Sequence, residues 1–138
     1  MKFFLSSLLL LLFFSSNVFA IDFKDMQNVS LKKDEQKKIL VKYGSVEKLF
    51  KFRWTLYKNG GLVVFRSYDK IVSQNVLYLR HKNASFRFDL MPKGASNYRV
   101  PYMLVKFKEF NYESGEAKFE LYVSDKKTQV ILEYLENS

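Results

Sequence analysis

Phe50, Phe52, Trp54 and Leu56 fall on one parity of the chain, and Lys51, Arg53, Thr55 and Tyr57 fall on the other. Apolar and polar residues alternating with period two mark a strand that buries one face. The same pattern recurs downstream. Phe86, Phe88 and Leu90 oppose Ser85, Arg87 and Asp89; Ala117, Phe119, Leu121 and Val123 oppose Lys118, Glu120 and Tyr122; Val130, Leu132 and Tyr134 oppose Gln129, Ile131 and Glu133. From Tyr102 the run starts in phase at Met103, Val105 and Phe107, then slips so that Phe110 changes parity, which predicts a bulge near Lys108-Glu109. Turn residues separate the runs: Asn59-Gly60-Gly61, Lys82-Asn83, Pro92-Lys93-Gly94, Glu113-Ser114-Gly115 and Ser124-Asp125-Lys126-Lys127.

Residues 30–43 contain helix-favouring Lys, Glu and Gln behind Ser30, a residue suited to capping a helix. Their apolar residues cluster at one end, however, and Ile39, Val41 and Tyr43 alternate with Lys38, Leu40 and Lys42. The alternation predicts a hairpin in which Val29-Ser30-Leu31 pairs with the 39–43 strand across a polar turn. The sum is seven or eight short strands with regular turns, an all-β chain folded as an antiparallel sandwich.

A strand-turn-strand followed by the Trp-bearing Phe52-Arg53-Trp54 is similar to the start of immunoglobulin-like sandwiches. That resemblance implies such a sandwich, without the Cys pair of antibody domains. A small lipocalin-like barrel is the alternative, since alternation fits both, and its Phe- and Tyr-rich interior would carry an apolar ligand or lipid.

The first twenty residues stand apart. Met1-Lys2 is positive, Phe3 to Phe14 is almost wholly apolar, and Val18-Phe19-Ala20 suits cleavage before Ile21. This is the layout of a cleavable signal peptide, and its apolar run is too short to span a bilayer as a helix. The expected mature protein is a single β domain over residues 21–138. No Cys follows the apolar run, so lipid attachment there is excluded, and no later segment is apolar enough to cross a membrane. The absence of Cys also excludes a disulfide scaffold and a Cys nucleophile. Together with a Lys-, Asn- and Phe-rich composition, a compact signal suggests a bacterial periplasm.

Charge changes the picture further. The chain carries a net +9, yet Lys48 to Lys108 alone holds thirteen Lys and Arg against Asp69 and Asp89, while Glu109 to Ser138 holds three Lys against seven acids. All five arginines, Arg53, Arg66, Arg80, Arg87 and Arg99, lie in the basic stretch. Guanidinium groups grip carboxylates and phosphates through paired hydrogen bonds. These arginines, with Lys51, are therefore the candidate binding residues for an anionic envelope component or periplasmic protein, gathered on one exterior face. The competing expectation is that Glu109, Glu116, Glu120 and Glu133 neutralise the basic strands within the fold. Nucleic acid is not the expected partner, because the aromatics interleaved with Lys51 and Arg53 share the core parity.

Catalytic chemistry is thinly represented. His81 is the single histidine, set between Arg80 and Lys82 in a turn. No thiol accompanies it, and no nucleophile elbow, phosphate loop or zinc-protease motif occurs. Asp69 falls in a turn sequence, and Asp89 shares a strand face with Arg87, which suits an ion pair. The expected protein is a noncatalytic binding domain without cofactor or metal.

Overall fold

A computed structural model describes residues 23–94, 100–127 and 129–138. The signal-like segment and Arg99 lie outside them. Nine strands are present among the described residues: β1 (Asp25–Lys32), β2 (Lys37–Tyr43), β3 (Val46–Lys58), β4 (Gly61–Tyr68), β5 (Ile71–Tyr78), β6 (Ser85–Asp89), β7 (Tyr102–Asn111), β8 (Glu116–Ser124) and β9 (Ile131–Tyr134). They form two antiparallel sheets, ordered β1-β8-β7-β6 and β5-β4-β3-β2-β9. Each sheet keeps two edges and no described strand pairs across them, so the alternative of a closed barrel is not met. The all-β, antiparallel two-sheet expectation is met, with nine strands in place of seven or eight.

The alternating residues explain why the sheets face each other. Phe50, Phe52, Val64 and Leu62 line one inner face, and Val105, Phe107, Phe119 and Leu121 line the other, all buried. Aromatic rings meet across the gap: Phe52 meets Phe119 edge-on at 5.2 Å between centroids, and Phe50 meets Phe88, tilted, at 4.4 Å. Burying one such side chain contributes about 1.5–3 kcal/mol. Trp54 adds a polar tie, its Nε1 donating to the Leu31 carbonyl at 2.8 Å and so linking β3 to the opposite sheet.

Two local expectations are corrected. Residues 25–32 and 37–43 are both strands, but they do not pair as a hairpin. β1 lies along β8 in one sheet, whereas β2 lies between β3 and β9 in the other. Four residues between them carry the chain across the sandwich, so that buried Val29 and Leu31 enter the shared core from one sheet and Ile39 and Val41 from the other. The second correction concerns Leu56 and Tyr57. A register shift between Trp54 and Leu56 turns Leu56 outward, where it is 48% exposed, and turns Tyr57 toward the core.

The expected irregularity in β7 is present, between Phe107 and Glu109. The two bulges act together. Each reverses side-chain parity, and as a result Tyr57 and Phe110 stack at 4.2 Å while Phe110 also meets the Trp54 edge at 5.5 Å. Hairpin turns follow from local chemistry. Asn59 and Gly60 both take positive φ, as do Asp69 and Lys70, which is the twist-matched geometry of two-residue β-turns.

Candidate functional site

The described arginines do not gather on one face. Arg53 projects from the outer face of the five-stranded sheet, whereas Arg66 on β4 sits opposite Phe52, with inward parity. Its guanidinium lies 4.5 Å over the Phe86 ring, and its Nε donates to Asn75 Oδ1 at 2.9 Å. Burial lowers the Arg66 pKa. This arginine closes the margin of the core. Arg80 occupies a positive-φ turn position. Arg87 belongs to the other sheet, with its guanidinium 3.6 Å over the Tyr102 ring and 4.0 Å from Asp89. A shared exterior for the arginines is thus corrected: strand parity and sheet membership scatter them.

The acidic C-terminal stretch pairs with lysines. Glu120 takes Lys108 at 3.1 Å, Glu109 takes Lys118 at 3.8 Å, and Glu133 takes Lys42 at 3.1 Å. Arg53 has Asp34 at 3.6 Å, both side chains about half exposed, a geometry that contributes little in water.

One group of cations does converge, and only in part was it legible beforehand. The register sets Lys38 on β2 directly opposite Lys51 on β3, and Lys51 opposite Ser67 on β4, all on the outer face. Arg53 is the next outward residue of β3. Among the described residues neither Lys38 nor Lys51 forms an ion pair, although Lys42, further along β2, has Glu133 and Glu47 within reach. Like charges directly opposed across a ladder cost stability. Beside them is a shallow dish of about 160 Å³ lined by Gln36, Lys51, Arg53, Phe65, Arg66, Ser67 and Val72, so that Arg66, despite its inward parity, also reaches this pocket. Its lining combines an aromatic ring and a Val side chain with three cationic residues, Lys51, Arg53 and Arg66. The Arg53 guanidinium lies 5.8 Å over Phe65. Lys38 was missed in the sequence because cross-strand opposition depends on register, and period two alone gives no register.

Lys48 sits between the Tyr43 hydroxyl and Asp69, whose carboxylate is 3.0 Å away, and these two raise its pKa. Tyr68, its pKa raised chiefly by burial, donates to the Leu90 carbonyl at 2.6 Å. His81 is exposed in its turn, where Nδ1 accepts a long contact from the Asn83 N–H.

Asp125 is the buried acid of the described chain. It accepts from the Gln129 and Val130 N–H groups and from Lys24 Nζ at 3.2 Å. Burial alone would raise its pKa, but the two backbone donors and the Lys24 ammonium bring it below the ordinary carboxylate value. Among the described residues no group of three or more His, Cys, Asp or Glu is placed to hold a metal ion, and no helix is long and apolar enough to cross a membrane. Comparison with known protein families, with curated proteins and with solved structures finds no match.

Proposed function

We propose that this protein is an exported, noncatalytic β-sandwich of the bacterial periplasm that binds the phosphate headgroup of an anionic envelope amphiphile. The contact is the outer face of the five-stranded sheet at Lys38, Lys51 and Arg53. The observation that carries this reading is the uncompensated opposition of Lys38 and Lys51 beside an apolar-floored dish. An anion seated between them would relieve their repulsion, and Phe65 and Val72 supply apolar contact for the part of the ligand nearest the headgroup. A volume of about 160 Å³ suits a headgroup and not a whole lipid, because pockets for drug-sized ligands run to about 300 Å³ or more.

A noncatalytic role is supported by the placement of the candidate acids and base. Asp69 is tied to Lys48, Asp89 lies beside Arg87, and His81 is solitary in an exposed turn. Support for an immunoglobulin-like relationship is limited to Trp54, buried on the third strand. The two meanders, β2 to β5 and β6 to β8, differ from a Greek key.

Vesicle flotation tests the proposal. Wild-type protein should float with phosphatidylglycerol-containing vesicles and not with phosphatidylcholine alone, and added salt should weaken the association. Lys51→Glu should abolish flotation while leaving the protein folded. Equal flotation of Lys51→Glu and wild type would overturn the reading.

A further inference from the structure

The edges of the five-stranded sheet are unequal. β9 is four residues long, whereas β5 runs eight residues, Ile71-Val72-Ser73-Gln74-Asn75-Val76-Leu77-Tyr78, with no charge, no proline and no bulge against β4. Edge strands are ordinarily guarded by one of those devices. Ile71 and Val72 are each 71% exposed, and Val76 and Tyr78 are exposed as well. This uncharged edge lies in a chain of net charge +9.

The free backbone groups of β5 can be assigned. Tyr78 N–H donates to the Asn83 carbonyl and not to β4, so Tyr78 and Gly61 form a non-hydrogen-bonded pair. Antiparallel ladders alternate strictly. The N–H and C=O groups of Val72, Gln74 and Val76 therefore point to the open side.

From these facts we infer that β5 pairs antiparallel with β5 of a second copy of this chain, about a two-fold axis at Gln74. The strand is palindromic in character about that residue: Val72 meets Val76, Ile71 meets Leu77 and Ser73 meets Asn75. Shifting the pairing by one residue sets open backbone groups against inward ones. Shifting it by two sets Ile71 against Asn75 in one direction or Ser73 against Leu77 in the other. Only the Gln74-centred register satisfies both the hydrogen bonds and the side chains. A two-fold axis makes the same patch serve both partners. The result is a continuous ten-stranded sheet presenting two cationic dishes on one face. The dimer stands on the backbone edge and does not depend on the anion-binding reading.

The absence of cysteine gives a clean background for the test. Protein expressed from the full sequence should sediment as a concentration-dependent dimer. Gln74→Pro removes an N–H that the isolated fold does not use, so it should shift the protein to monomer with its circular dichroism unchanged. Directly paired residues have Cα atoms about 5.5 Å apart, within disulfide reach. Gln74→Cys should therefore oxidise to a covalent dimer severalfold faster than Val72→Cys, whose counterpart in the second copy is Val76. Faster cross-linking of Gln74→Cys supports the register even if Gln74→Pro misfolds. A wild-type protein that stays monomeric to its solubility limit, or equal cross-linking rates for the two cysteine variants, would overturn it.

Discussion

On the outer face of the four-stranded sheet, Lys118 faces Glu109 across β7 and β8, and Lys108 in the neighbouring bulge reaches Glu120. On the outer face of the five-stranded sheet, Lys38 faces Lys51, and the nearest rows hold Phe65, Val72 and Val76. On the first face Lys118, Lys108 and Arg87 each have an acid within reach, and Tyr102 is covered by Phe23 and by the Arg87 guanidinium. On the second, Lys42 and Arg53 have acids within reach, but Lys38 and Lys51 form no ion pair among the described residues, and Val72 and Val76 are exposed. Both faces arise from the same alternating pattern, so the pattern does not decide which of them is left for a partner. What separates them is which residues the register sets opposite one another.

The contrast between partnered and unpartnered charge can be tested at its extreme first. Asp125 is the most completely partnered charge described, and Asp125→Ala strands two backbone donors and Lys24. A loss of about 2–4 kcal/mol in denaturant unfolding is expected. The same group gives a pH dependence. Its folded pKa is depressed below the ordinary 3.8, so its contribution is complete above that value and is lost as pH falls through the folded value. Wild type should accordingly lose stability on acidification below pH 3.8, and Asp125→Asn should show a flatter profile over that window. A profile that Asp125→Asn leaves unchanged would show that Asp125 is not the group responsible.

The two faces can then be set against each other with one chemical change. Lys118→Glu replaces attraction to Glu109 by repulsion and should cost about 1 kcal/mol. Lys51→Glu replaces repulsion from Lys38 by attraction and should raise stability by about 0.5 kcal/mol while ending vesicle flotation. Opposite signs in parallel thermal melts would sharpen the comparison; matching signs would break it. The smallest effect expected is from Arg53→Gln, whose exposed pairing with Asp34 contributes under about 1 kcal/mol. That variant should weaken flotation with almost no change in melting temperature.

Legibility in the sequence followed the range of the physics. The strands around Phe52, Phe86, Phe119 and Phe107, and the slip at Phe110, could be read because strand parity is local. The companion slip at Leu56 could not: its residues continue an unbroken apolar series, and only pairing with β4 shows that Leu56 leaves the core. The placement of β1 failed for a related reason. A short polar turn after Leu31 suits a hairpin, but Trp54 Nε1 and the β8 ladder engage that segment from elsewhere in the chain. The candidate site was half legible. Lys51 and Arg53 stood out by charge, and Lys38 became significant only once it lay opposite Lys51.

By itself, then, the order of residues determined that this protein is built from one-sided strands, where most of them turn, and that its cations crowd into the middle of the chain. Those properties depend on neighbours within a few positions. Tertiary structure alone decided that Arg66 faces inward, that Lys38 and Lys51 are left opposed, and that β5 ends its sheet with open hydrogen-bonding groups. Each of these depends on which strand lies beside which, and strands far apart in sequence are brought together by burial of their shared apolar faces.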